Sequence, residues 1–114
     1  MSHNDIVELE LNIKELNDMV DLAKALGRLE KNRDFKKLVV DQYLSAEAVR
    51  LVHAKADGNT QSPQVQERIL RDIDAIGSFT QFLNEIGRKA EMAKEAIAES
   101  EADIDAIRRD GDDA

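Results

Sequence analysis

The stretch that decides the fold is Pro63–Arg109, PQVQERILRDIDAIGSFTQFLNEIGRKAEMAKEAIAESEADIDAIRR. It holds the chain's single proline, at its first position, and apolar residues recur along it on a coiled-coil spacing. Ile76, Phe79, Leu83, Ile86, Ala90, Ala93, Ile97, Ser100, Ile104 and Ile107 follow one another at alternating steps of three and four, with Ser100 the sole polar member. At about 1.5 Å per residue this predicts a helix roughly 70 Å long carrying one narrow apolar stripe. A single helix cannot bury such a stripe itself. It needs a second helix, from the same chain or from another copy. The pattern therefore points to an assembly or interaction protein and away from an enzyme built around a pocket.

Composition agrees. The chain has 114 residues, enough for one small domain. Apolar residues make up 42% and charged residues 35%, the latter above the usual quarter, as helices with wide solvated faces require. Phe35, Phe79, Phe82 and Tyr43 are the aromatics, and cysteine is absent, so disulfides and thiolate metal sites are excluded. Met1-Ser2-His3-Asn4-Asp5 has neither the basic start nor the apolar run of a signal peptide, and the longest apolar run, Leu38-Val39-Val40, is far too short to span a membrane. A soluble intracellular protein is expected.

The net charge of −8 is unevenly spread: −4 over residues 1–27, +3 over 28–37, −1 over 38–94 and −6 over 95–114. This acidic balance argues against a general nucleic-acid coat, which needs clustered Lys and Arg.

Upstream of the long helix, Asn4 or Asp5 is a candidate cap for a first helix running from about residue 5 to about 31. Leu9, Ile13, Leu16, Val20 and Ala23 supply a stripe, and a second row, Met19, Leu22, Leu26 and Leu29, is expected to widen it into a core face. Lys31-Asn32-Arg33-Asp34 reads as a break, with Asp34 capping a short helix from Phe35 to Leu44. Ser45 then reads as the cap of another, Ala46 to Ala56, which carries Val49, Val52 and Ala56 on one side with Leu51 flanking. Asp57-Gly58-Asn59 is a stop, with Gly58 suited to a left-handed conformation. Ser62-Pro63 is the clearest helix start in the chain. Gly77 and Gly87 are interior glycines that would permit close approach of another backbone.

The architecture expected is all-α and coiled-coil-like: a helical hairpin of two long helices with two short helices at the corner. It forms a single domain over residues 1–109, followed by a disordered acidic tail, 110–114. The large side chains Leu22, Leu26, Leu29, Phe35, Leu38, Val39, Val52, Ile73, Ile76, Phe79, Leu83 and Ile86 are expected to form the core. The Ala-rich end of the long helix is expected to project from it.

Chemistry-bearing patterns are nearly absent. His3 and His53 have no partner at metal-ligand spacing. There is no glycine-rich phosphate loop and no nucleophile elbow. Catalytic, metal and cofactor-binding residues are therefore all read as none, and an enzyme is not expected. Glu91, Glu95 and Glu99 share a helix face, which reads as solvated, with Lys89 and Lys94 beside it. The sharpest charge feature is the basic cluster Arg28, Lys31, Arg33, Lys36 and Lys37. It is either a solvated turn at the negative end of the first helix or a contact to an acidic partner. With Ile97, Ile104 and Ile107 of the distal seam, these cations are the expected interaction residues.

Three blocks, Asp34-Phe35-Lys36-Lys37-Leu38-Val39-Val40, Ala48-Val49-Arg50-Leu51-Val52-His53-Ala54-Lys55-Ala56-Asp57 and Ile73-Asp74-Ala75-Ile76-Gly77-Ser78-Phe79, together resemble small coiled-coil proteins of tailed bacteriophages, over roughly residues 25–97. These proteins are mostly of undefined role and are associated with virion morphogenesis. The resemblance implies a phage origin, location in the cytoplasm of the infected host or in the virion, and a non-enzymatic assembly or structural role: scaffold-like, head-completion or packaging accessory. A homo-oligomer, with a virion or host protein as partner, is expected. The alternative is a host-directed regulator that binds and inhibits a bacterial protein. A nucleic-acid accessory working through the basic turn ranks last.

Overall fold

The computed structural model describes residues 3–112. The chain is all-α, as its periodicity predicts, with two long helices packed antiparallel and a shorter helical run in the connection between them. Helix α1 spans His3–Glu30 and α4 spans Pro63–Asp112. The connection holds α2, Arg33–Phe35, a π-helical segment, Lys36–Glu47, α3, Ala48–Ala56, and a 3₁₀ turn, Gly58–Thr60. Contacts divide the chain into two compact units, Met1–Leu26 with Glu85–Ala114, and Gly27–Asn84.

In the first unit α1 and the distal part of α4 form an antiparallel pair. On α1 the row Leu9, Ile13, Leu16, Val20 and Ala23 is covered along its whole length. On α4 the facing row Ile86, Ala90, Ala93, Ile97, Ser100, Ile104 and Ile107 is likewise covered, with Ala90 2% and Ala93 1% exposed. Arg108 donates to Glu10 across the pair at 3.4 Å, which marks the register. Carried along at equal rise, that register brings Val20 opposite the neighbourhood of Ile97. The Ala-rich end does not project: small side chains let the backbones approach, and α1 covers them. Of the second α1 row Leu26 is half-buried, but Met19, Leu22 and Leu29 are exposed, because one facing helix fills only one seam.

The second unit packs residues 33–56 against the first part of α4. Its core is Leu51, Ile69 and Ile76, with Leu44, Ala48, Ala54 and Ile73 against it. Tyr43 and Phe79 meet edge to face, ring centroids 6.1 Å apart. The two short helices expected on either side of Ser45 are one uninterrupted helical run. Ser45 caps nothing, Glu47 and Ala48 both keep right-handed helical backbone, and the Ala48 N–H bonds the Ser45 carbonyl.

The π-helical turn has a consequence for the core. Covered positions there recur as Phe35, Val39 with Val40, Leu44 and Ala48, four to five residues apart, which suits a turn wider than the 3.6 residues of an α-helix. On that wider turn Leu38 rotates outward and is 66% exposed, where an α-helical period would have put it inside. In α3 the buried residue is Leu51, 1% exposed, whereas Val52 is 61% exposed and Val49 is also outside. Val52, expected in the core, is therefore outside it.

The helix ends differ from expectation at four places. Asn4 and Asp5 lie inside α1, which is already helical at His3. Asn32, not Asp34, caps α2: its extended backbone lets Oδ1 accept from the Phe35 N–H at 3.0 Å. Gly58 has no positive φ. Instead the carbonyls freed at the end of α3 are taken by side chains: Thr60 Oγ1 donates to Ala54, and Gln61 and Gln66 each donate to Lys55 at 3.1 Å. Asp110, Gly111 and Asp112, expected in a disordered tail, continue α4, since extending an existing helix needs no new nucleation. The remainder of that tail lies outside the described residues. Ser62 caps α4 as expected, accepting from the Val65 N–H at 3.3 Å.

Candidate interaction surfaces

Among the described residues no group of three or more His, Cys, Asp or Glu side chains is placed to hold a metal ion, and no helix is long and apolar enough to cross a membrane. His3 and His53 are both exposed. Glu91, Glu95 and Glu99 are exposed as well, with Glu91 bonded to Lys94 at 3.0 Å, so this row is a solvated face. Two carboxyls are held below the usual range by neighbouring guanidinium groups: Glu47 by its hydrogen bonds to Arg50, and Glu85 by its hydrogen bonds to Arg88. Both pairs lie on exposed helix surface, where such bridges contribute little.

The expected contact residues fall into two sets. Arg28, Lys31, Arg33, Lys36 and Lys37 are all exposed in the unit Gly27–Asn84. Ion pairs among the described residues involve Arg50, Arg71, Arg88, Lys94 and Arg108, and none of these five. Residues 28–37 keep a net charge of +3, and Leu29 and Leu38 stand exposed among the cations. Ile97, Ile104 and Ile107 lie in the other unit, on the covered face of α4. Ile104 is buried, and Ile97 and Ile107 are half-buried. Ile107 reaches an opening: with Leu9 and Ala106 it floors a cleft edged by Asp5, Glu8, Asp103 and Asp110.

Other apolar surface emerges where the sequence reading did not look for it. On α1 Leu11 and Leu22 are 60% and 54% exposed. They are eleven residues apart, close to three turns, and share a face. Leu11 and Val20 are nine residues apart, two and a half turns, so these leucines lie opposite the filled seam. Met92 is exposed on α4 of the same unit. In the other unit Val49, Val52, Leu70 and Phe82 are exposed. The eleven-residue spacing was visible in the sequence, but which apolar row meets the partner helix was not.

Comparison with protein-family models, with curated proteins and with solved structures finds no match.

Proposed function

We propose that this protein is a non-enzymatic assembly or structural protein that works through helix–helix contacts, a scaffold-like, head-completion or packaging accessory of a tailed bacteriophage. The observation that carries the reading is the surplus of apolar helix surface. The seam between α1 and α4 is already filled, yet Leu11, Leu22, Leu38, Val49, Val52 and Phe82 remain exposed. Leu11 and Leu22 share one face of α1, and an apolar row of this kind left outside a core supports a surface for another protein. The phage setting, in the host cytoplasm or the virion, is supported by the three sequence blocks quoted above.

A second reading, a host-directed regulator that binds and inhibits a bacterial protein, draws on the acidic edge of the Leu9–Ile107 cleft, where four carboxylates surround an apolar floor. A crosslinked pull-down from phage-infected cells separates the two. Recovery of portal, capsid or packaging proteins, lost on Leu11→Ser/Leu22→Ser or Val49→Ser/Val52→Ser substitution, is the expected result. Recovery of one host protein without virion components favours the regulator.

A further inference from the structure

Arg33, Lys36 and Lys37 lie within five residues of one another at the start of the helical run, and all three are exposed. Leu38 follows them, exposed, and Arg28 and Lys31 precede them. Among the described residues none of these cations forms an ion pair. The same chain carries a surface of opposite character in its other unit, the cleft floored by Leu9, Ala106 and Ile107 and edged by Asp5, Glu8, Asp103 and Asp110. The nearby Arg108 is drawn off toward Glu10. One surface is basic with an apolar side chain at its edge, and the other is acidic with an apolar floor.

We propose that the basic surface around Arg33, Lys36, Lys37 and Leu38 docks on the Leu9–Ile107 cleft of a second copy of this chain. The inference rests on the reading that the protein works through contacts with other helical surfaces, and it names one of them. A second copy fits better than nucleic acid. Residues 95–114 carry a net charge of −6, which phosphates would repel, and the cations have little aromatic surface beside them for bases to stack on. The two surfaces are different, so the contact is heterologous. Each copy offers one of each, and repetition builds a ring or an open chain of subunits. Attraction between exposed charges falls off within a Debye length, so the association weakens steeply with salt.

Sedimentation of the purified full chain tests this. The unmutated protein is expected to form species larger than a monomer at low salt and to dissociate as salt rises. Arg33→Gln/Lys36→Gln/Lys37→Gln removes one surface, and Glu8→Gln/Asp103→Asn/Asp110→Asn removes the other. Each variant alone is expected to stay monomeric with unchanged helical circular dichroism. Mixed, they are expected to give a species of twice the monomer mass and nothing larger, because each contributes one intact surface. A protein that is monomeric at low salt, oligomers indifferent to salt, or a mixture of folded variants that stays monomeric overturns the docking. The salt series needs no variant and decides even where a substitution perturbs folding. A protein that fails here yet still retrieves virion proteins from infected cells loses this contact alone, and the helix-contact reading stands.

Discussion

Leu51 and Val52 are neighbours with opposite fates, and they show how narrowly stability is distributed in this chain. Among the described residues Leu51 is the largest side chain fully enclosed, while Val52 is open to solvent. Leu51→Ala is expected to cost about 2–5 kcal/mol through lost contacts and the cavity left behind. Val52→Ala should stay within about 0.5 kcal/mol. Urea unfolding of both variants checks the contrast, and equal losses would mean that α3 is rotated from the orientation described. Ala93 gives the converse case. With 1% of its surface exposed there is no room for a larger group, so Ala93→Leu should destabilise by about 1–3 kcal/mol despite adding apolar area.

The Glu47–Arg50 pair makes a pH prediction at the same scale. Its hydrogen bonds hold the Glu47 carboxyl below its ordinary value in the folded chain. A depressed folded value contributes stability above the unfolded pKa, and that contribution is lost as pH falls through the folded one. Arg50→Ala should therefore move the Glu47 titration upward, toward that of an unpaired glutamate. NMR titration of the Glu47 side chain reads this directly, and an unmoved curve would remove the pair.

At the scale of elements, caps and glycines were only partly legible. Asn32 and Asp34 are both good capping residues two positions apart, and sequence alone gives no reason to choose. The structure chooses Asn32, whose side chain bonds the Phe35 N–H. Asn32→Ala is expected to cost about 0.5–2 kcal/mol, with Asp34→Ala well below that, in thermal unfolding. Gly77 and Gly87 looked like places where another backbone approaches, but a Cβ built on either meets nothing within 4 Å. Gly77→Ala and Gly87→Ala should each raise stability by about 1 kcal/mol, the ordinary helix preference for alanine. A loss instead would reveal a partner packed there. The loop after α3 depended on Gln66, eleven residues from the Lys55 carbonyl it binds. No local turn signature announces a bond across that separation.

At the scale of the molecule, the distal seam is an intramolecular contact, and that changes what its disruption would do. Ile104 is buried in the unit that α1 and the distal part of α4 form together. Ile104→Asp is thus expected to open that unit, whatever the subunit count, by placing an unpaired charge in the seam. Hydrogen exchange should quicken along α1 and the distal half of α4, while protection around Leu51, Ile69 and Ile76 persists. Unchanged exchange along α1 would contradict the packing. The surfaces we propose for other proteins are then the exposed rows, such as Leu11 with Leu22, and the basic start of the helical run.

By itself the sequence determined the helices and the seam. Steps of three and four on α4, and the row from Leu9 to Ala23 on α1, mark covered residues because a straight helix repeats its face at a fixed period whatever it packs against. Only the tertiary structure decided which apolar residues stay outside. Leu22, Leu38 and Val52 are as hydrophobic as those within, but each stretch of helix faces one partner, the seam admits one row, and the wider turn at Lys36–Glu47 moves the face away from the α-helical register. Burial is settled by what stands opposite a residue. That depends on pairing and register between distant segments, which no local period encodes.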